Sequence, residues 1–199
     1  MKTILQLNSS IFSANGQSSQ LANEFVAQLE ADKVIVRDLA SEPVPHLDAE
    51  RFSAFLSKSE TRTREQQAVV DYSDELINEL KQADVIVLGL PMYNFGLPSN
   101  LKAYFDHIAR AGVTFKYTEK GAVGLLTGKK AYVFAARGGI YQGTPRDTQT
   151  QYVRDFLAFL GITDVEFVYA EGLAISEASK TASLAKARES LHNLVPAFA

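Results

Sequence analysis

A chain of 199 residues that is 46% hydrophobic is long enough for one well-cored domain and short for two, so residues 1–199 are expected to form a single domain. A net charge of −3 without clustered Lys and Arg argues against a nucleic-acid footprint, and the lack of cysteine excludes disulfides, thiolate metal sites and a Cys nucleophile. The N-terminal apolar run is too short for a signal peptide and no stretch is long enough for a membrane span, so a cytoplasmic protein acting away from membranes is expected.

Short apolar runs then alternate with segments of helical periodicity. Thr3 to Leu7 reads as the first strand, and Leu21, Phe25 and Leu29 recur at helical spacing between Ser18 and Ala31. KVIVR, from Lys33 to Arg37, is the second strand. A helix through Val69, Tyr72, Leu76 and Leu80 follows, and the polar segment before it, ERFSAFLSKSETRTREQQ, takes no clear assignment. DVIVLGL, from Asp84 to Leu90, is β-branched and almost free of polar residues, as expected of a central strand buried on both faces. Its helix is LPSNLKAYFDHIARA, with Leu101, Tyr104, Phe105 and Ile108 on one face and Pro98 in the first turn. VTFKYTEKGAVGLLTGKK reads as a hairpin or an ordered excursion before the fourth strand. KAYVFAA, from Lys130 to Ala136, is the fourth strand, Thr148 to Leu160 a helix, Val165 to Tyr169 the fifth strand and Ser176 to Val195 the last helix.

Strands each followed by a helix suit an α/β, flavodoxin-like doubly wound parallel sheet of order 2-1-3-4-5 with helices on both faces. In such sheets the ligand lies beyond the carboxyl ends of the strands, at the switch point between the first and third. That rule selects the loops NSSIFSANGQSS, PMYNFGLPSN and ARGGIYQGT. The first holds five Ser and a Gly and runs into a helix N-terminus, where N–H groups, hydroxyls and the helix dipole can bind an anion without any Lys. The second offers aromatic and amide groups to a planar ring. In the third, Gly138 and Gly139 let the backbone approach a ligand closely. Each loop also has a plainer reading, as a Ser-rich helix cap, a loop packed on the sheet and an ordinary turn. Their coincidence at the strand ends points to a phosphate-bearing planar cofactor, and FMN fits both halves. No GxxxxGK[ST], GxGxxG at the first loop or GxSxG is present.

The segments SSIFSANGQSSQL, LPMYNF, LKAYFDHIARAGVTFKYTEKGAVGLLTGKKA, ARGGIY and GITDVEFVYAEG closely resemble the FMN-dependent NADH-azoreductases, also described as FMN-dependent NADH:quinone oxidoreductases. The resemblance implies a flavodoxin-like homodimer with FMN near the subunit interface. Carried over by position, it places phosphate and ribityl contacts on Ser10, Gly16, Gln17 and Ser18. It places ring contacts on Met92, Tyr93, Asn94 and Phe95 and on Ala136, Arg137, Gly138 and Gly139. Gly16 and Ala136 depart from the family's usual SQS and SRGG, each losing a hydroxyl. Tyr117, Tyr141 and Phe159 are implied to line the substrate side, some of them across the interface, although Phe159 also reads as core.

The expected chemistry resides in FMN rather than in a catalytic side chain: NADH gives a hydride, and a quinone or an azo compound, with cleavage of the azo bond, takes the electrons in turn. A flavodoxin-type electron carrier serving a protein partner is the alternative, although such a carrier is expected to be shorter and strongly acidic. A phosphoacceptor receiver needs acids at the strand ends, where this chain has Asn8-Ser9 and Pro91-Met92. His46, His107 and His192 show no metal-ligand spacing, so no metal is expected. Arg62 or Arg64 is a further candidate for a nucleotide phosphate.

Overall fold

The computed structural model describes residues 2–198. Its central sheet is built from β1 (Thr3–Asn8), β2 (Lys33–Asp38), β3 (Val85–Pro91), β6 (Lys130–Ala136) and β7 (Asp164–Ala170), all parallel, in the order β2-β1-β3-β6-β7. This is the flavodoxin-like order expected from the sequence. β4 (Phe115–Thr118) and β5 (Gly121–Gly124) form a separate antiparallel hairpin, also as expected.

Every residue of β1 and β3 is buried, and alternate residues feed opposite faces. Leu5, Leu7, Ile86, Leu88 and Val133 pack under α3 (Arg64–Gln82), α4 (Ser99–Ile108) and α5 (Thr150–Leu160). Ile4, Val85, Val87, Tyr132 and Phe134 face Leu21 and Phe25 of α1 (Gln17–Val26) and Leu191 of α6 (Glu177–Leu194). A strand buried on both sides needs apolar residues at consecutive positions, which is why the runs lack the alternation of a half-exposed sheet.

The unassigned segment forms α2 (Ala49–Leu56) and a short 3-10 turn before α3. Its boundaries follow from local capping. Asp48 accepts a hydrogen bond from Arg51 N–H at 2.8 Å, and Thr63 forms a capping box with Gln66. α1 ends at Val26 rather than Ala31, and Leu29 still packs on the core from the turn beyond it. Pro98 occupies the N-cap position of α4, one residue before its first turn.

Candidate functional site

The loops after β1, β3 and β6 meet at the carboxyl edge of the sheet. Gly89 lets α1 approach the face of β3 closely: a Cβ there would lie 3.2 Å from the Ser18 backbone. The N-terminus of α1 is thereby drawn against the sheet. No side chain caps it, and the N–H groups of Gln17, Ser18 and Ser19 have no hydrogen-bond partner among the described residues. The hydroxyls of Ser18 and Ser19 are buried and equally unpartnered. Unmet donors at the positive end of a helix fit an anion such as phosphate. Gly16, just before α1, contributes space: a Cβ would lie 2.1 Å from Ser10 Oγ, and its own N–H is bonded to Ser13 O at 3.2 Å. The structure thus accounts for the missing hydroxyl at Gly16, because the Ser10 side chain fills that volume.

The loop after β3 folds as a tight turn. Tyr93 and Gly96 exchange backbone hydrogen bonds of 3.3 and 2.9 Å, and the central residues Asn94 and Phe95 have φ of 50° and 60°. Asn tolerates this left-handed geometry, whereas a bulky residue there costs about 1–2 kcal/mol. The N–H groups of Asn94 and Phe95 are without partners among the described residues. Met92 N–H is bonded to Ala136 O at 3.1 Å, which joins this loop to the next.

In the loop after β6, the carbonyls of Arg137, Gly138 and Gly139 accept from Leu173, Ala174 and Gly172, while the N–H groups of Gly138 and Gly139 have no partner among the described residues. Met92, Asn94, Phe95, Gly138, Gly139 and Tyr141 line one cleft of about 240 Å³. Free amides on two of its walls and aromatic rings at its mouth suit a flat ring with polar edges. Phe95 and Tyr141 meet edge-on there, with centroids 5.4 Å apart.

Arg137 turns its guanidinium away from the cleft. Its side chain is 0% exposed, pairs with Asp147 at 2.8 Å and Glu171 at 3.1 Å, and lies over the Tyr169 ring. Burial works to raise the Asp147 pKa, but hydrogen bonds from Arg137 and Thr150 and the guanidinium charge hold it below the ordinary carboxylate value. Glu171 also accepts the N–H groups of Tyr141 and Gln142, each at 3.0 Å, so this ion pair fixes the loop from beneath.

Tyr117 and Phe159 do not line the cleft. Tyr117 stands on the hairpin, 75% exposed, and Phe159 is half-buried on α5; both rings touch Phe115. Arg62 is anchored on Ser57 and Gln67. His107 is buried with Nδ1 2.9 Å from Ala103 O, His192 contacts Gln28 and His46 is exposed. A second cleft of about 400 Å³ lies between α2 and α3, and none of the loops after β1, β3 and β6 lines it. The site residues that the sequence did not indicate are Gly89, Asp147, Gln149 and Glu171; of these, only the Asp before a helix carries a local signal, that of a cap.

The sequence model of a family described as having a flavodoxin-like fold matches residues 2–195. The chain is 59% identical over 190 residues to the FMN-dependent NADH:quinone oxidoreductase of Cellvibrio japonicus, covering 94% of this chain and 96% of that protein. It is 56% identical over 192 residues to the protein of that name from Alcanivorax borkumensis, with 94% and 97% covered. Among solved structures it is similar to an FMN-dependent NADH-azoreductase from Bacillus anthracis in complex with FMN (TM-score 0.85, 30% identity, 98% of this chain and 100% of that one). It is also similar to the azoreductase AzrA (TM-score 0.88, 28% identity, 97% and 98% covered).

Proposed function

The chain belongs to the flavodoxin-like family of FMN-dependent NADH:quinone oxidoreductases and azoreductases, and from that premise we infer how its residues serve the activity. It is an FMN-dependent oxidoreductase with NADH as hydride donor and quinones and azo compounds as acceptors. The observation that carries the assignment of the site is the set of unpartnered donors at one edge of the sheet: those at the start of α1, and those of Asn94, Phe95, Gly138 and Gly139, whose residues line one cleft.

Bound FMN supplies the hydride-transfer chemistry between donor and acceptor. In this reading Gln17 and Ser18 bind its phosphate through backbone N–H groups and the Ser18 hydroxyl, Ser10 adds a second hydroxyl, and Gly16 leaves room for Ser10. Met92, Tyr93, Asn94 and Phe95 hold one edge of the ring. Gly138 and Gly139 would hold the opposite edge through their unpartnered amides, donors that favour negative charge beside them. Ala136 and Arg137 act from behind: the Ala136 carbonyl ties the two loops together and the buried guanidinium braces the glycines. Tyr141 and Phe95 shield the cleft from water. No side chain of the cleft is placed as a general acid, and acceptor protons come from solvent.

Residues 1–199 act as one FMN-binding domain in this reading, and the active species is a homodimer. Tyr117, 75% exposed on the hairpin beside its exposed cross-strand partner Ala122, offers apolar surface that a second copy would bury, bringing Tyr117 and Phe159 to its substrate side. No helix among the described residues is long and apolar enough to cross a membrane, and the proposed compartment is the cytoplasm. The test is steady-state NADH oxidation by the purified, FMN-loaded protein with a soluble quinone and no other protein. Sustained turnover is expected; flavin that is reduced but passes electrons only to a protein partner would instead mark an electron carrier.

A further inference from the structure

In the segment Asp147-Thr148-Gln149, immediately before α5, each side chain is bonded to one of the two loops that line the ring cleft. Asp147 takes Arg137 of the loop after β6 at 2.8 Å and also accepts from Thr150 N–H at 3.1 Å, which caps α5. The Thr148 hydroxyl donates to the carbonyl of Phe95. Gln149, fully buried, donates from Nε2 to the Pro91 carbonyl and to the Gly96 carbonyl, both at 2.9 Å.

Gln149 sits at the N-cap position of α5, where Ser, Thr, Asp and Asn prevail because their side chains reach the first-turn amides. Its side chain makes no capping bond. Both amide protons go instead to carbonyls at the two ends of the 92–95 stretch, so a single –NH2 group brackets the turn. That turn is the strained one, with Phe95 at φ 60°. A bulky residue in the left-handed region persists only where its surroundings over-determine it. Gln149 and Thr148 supply that constraint on Asn94 and Phe95, which line the cleft and whose N–H groups lack partners among the described residues. Asp147 does the same for the opposite wall through Arg137.

We propose that Gln149 is a positioning residue for the flavin ring. By bridging Pro91 and Gly96 it holds the Asn94-Phe95 turn in its left-handed conformation, and the 147–149 segment sets the separation of the two ring-binding walls. This inference rests on the reading of the cleft as the FMN ring site. It assigns to α5 a part in cofactor affinity and flavin electronics through a residue that touches no cofactor.

The test is titration of the apoprotein with FMN and with riboflavin, followed by the visible spectrum of the bound flavin, for wild type, Gln149→Met, Phe95→Gly and the double variant. Met keeps the length of Gln without its donors. Gln149→Met is expected to raise the Kd for both flavins about tenfold, the scale of one to two lost hydrogen bonds, and to shift the bound-flavin absorption band. The ratio of the two Kd values stays unchanged, because the phosphate cradle is not touched. In the Phe95→Gly background the turn reads Asn-Gly, which adopts this geometry unaided, and the effect of Gln149→Met should shrink to about twofold or less. An unchanged Kd and spectrum in folded Gln149→Met overturns the proposal, as does a loss that persists in full beside Phe95→Gly. Should Gln149→Met not fold, Thr148→Val removes the exposed donor to Phe95; about a threefold rise in Kd is expected, and no rise overturns the proposal. Wild-type protein that takes up no flavin overturns the reading of the cleft itself, whereas tight wild-type binding with indifferent variants overturns this inference alone.

Discussion

The phenol of Tyr93 lies 3.2 Å from the hydroxyl of Ser10 and 3.3 Å from the N–H of Ile11, so one side chain of the ring loop is tied to the loop that would hold the phosphate. The two halves of the proposed cradle are thus mechanically joined before any ligand arrives, which lowers the ordering cost of binding.

Tyr93→Phe removes that tie without changing the shape of the loop. A net loss of about 1 kcal/mol, the usual worth of such a bond, corresponds to a roughly fivefold rise in the FMN Kd. Fluorescence titration of the apoprotein measures it, and the unfolding midpoint should fall only slightly because the site is partly exposed.

Gly16 is constrained by its neighbour rather than by its own backbone, whose φ is −68°. Gly16→Ala should destabilise the protein by about 1–3 kcal/mol, the typical penalty for overpacking. Combining it with Ser10→Gly, which removes the atoms 2.1 and 2.5 Å from the new methyl, should recover most of that loss in urea denaturation. Stability restored while FMN affinity remains low would separate the steric role of Gly16 from the binding role of Ser10.

Much of this architecture was legible in the chain. β3 and β6 announce themselves as apolar runs, and β1 as a run interrupted by Gln6, because strands buried on both faces have few polar positions, and parallel order then fixes which loops converge. Asn94 before Phe95 gave no warning of consecutive left-handed residues, since the usual signal is Asn-Gly. The resemblance implies a ring contact at Arg137, and its guanidinium is drawn inward by Asp147 and Glu171, which are 10 and 34 residues further along the chain. No local pattern encodes that meeting, and the same holds for Gln149 with Pro91 and Gly96. Tyr117 and Phe159 follow the same logic one level up, because their proposed roles depend on a second copy.

His107 provides a handle on pH that is independent of the cofactor. Burial of the imidazole lowers its pKa, against a smaller raising effect of its bond to the Ala103 carbonyl. With the folded pKa below the unfolded value of about 6.5, the unfolded chain binds the proton first, so this group costs no stability above that pH and destabilises progressively as pH falls below it. His107→Asn should lower stability at neutral pH yet flatten its decline between about pH 6.5 and 5, as followed by thermal unfolding across that range.

The central claim, that phosphate is bound by the serines and amides at the start of α1 without a cationic side chain while the ring lies between the 92–95 and 136–139 loops, is tested most directly by calorimetric titration of the apoprotein with FMN and with riboflavin at several salt concentrations. Riboflavin should bind at least about 100-fold more weakly, the scale of two or more charge-assisted hydrogen bonds, and added salt should affect FMN affinity only modestly. Equal affinity for the two flavins would contradict it.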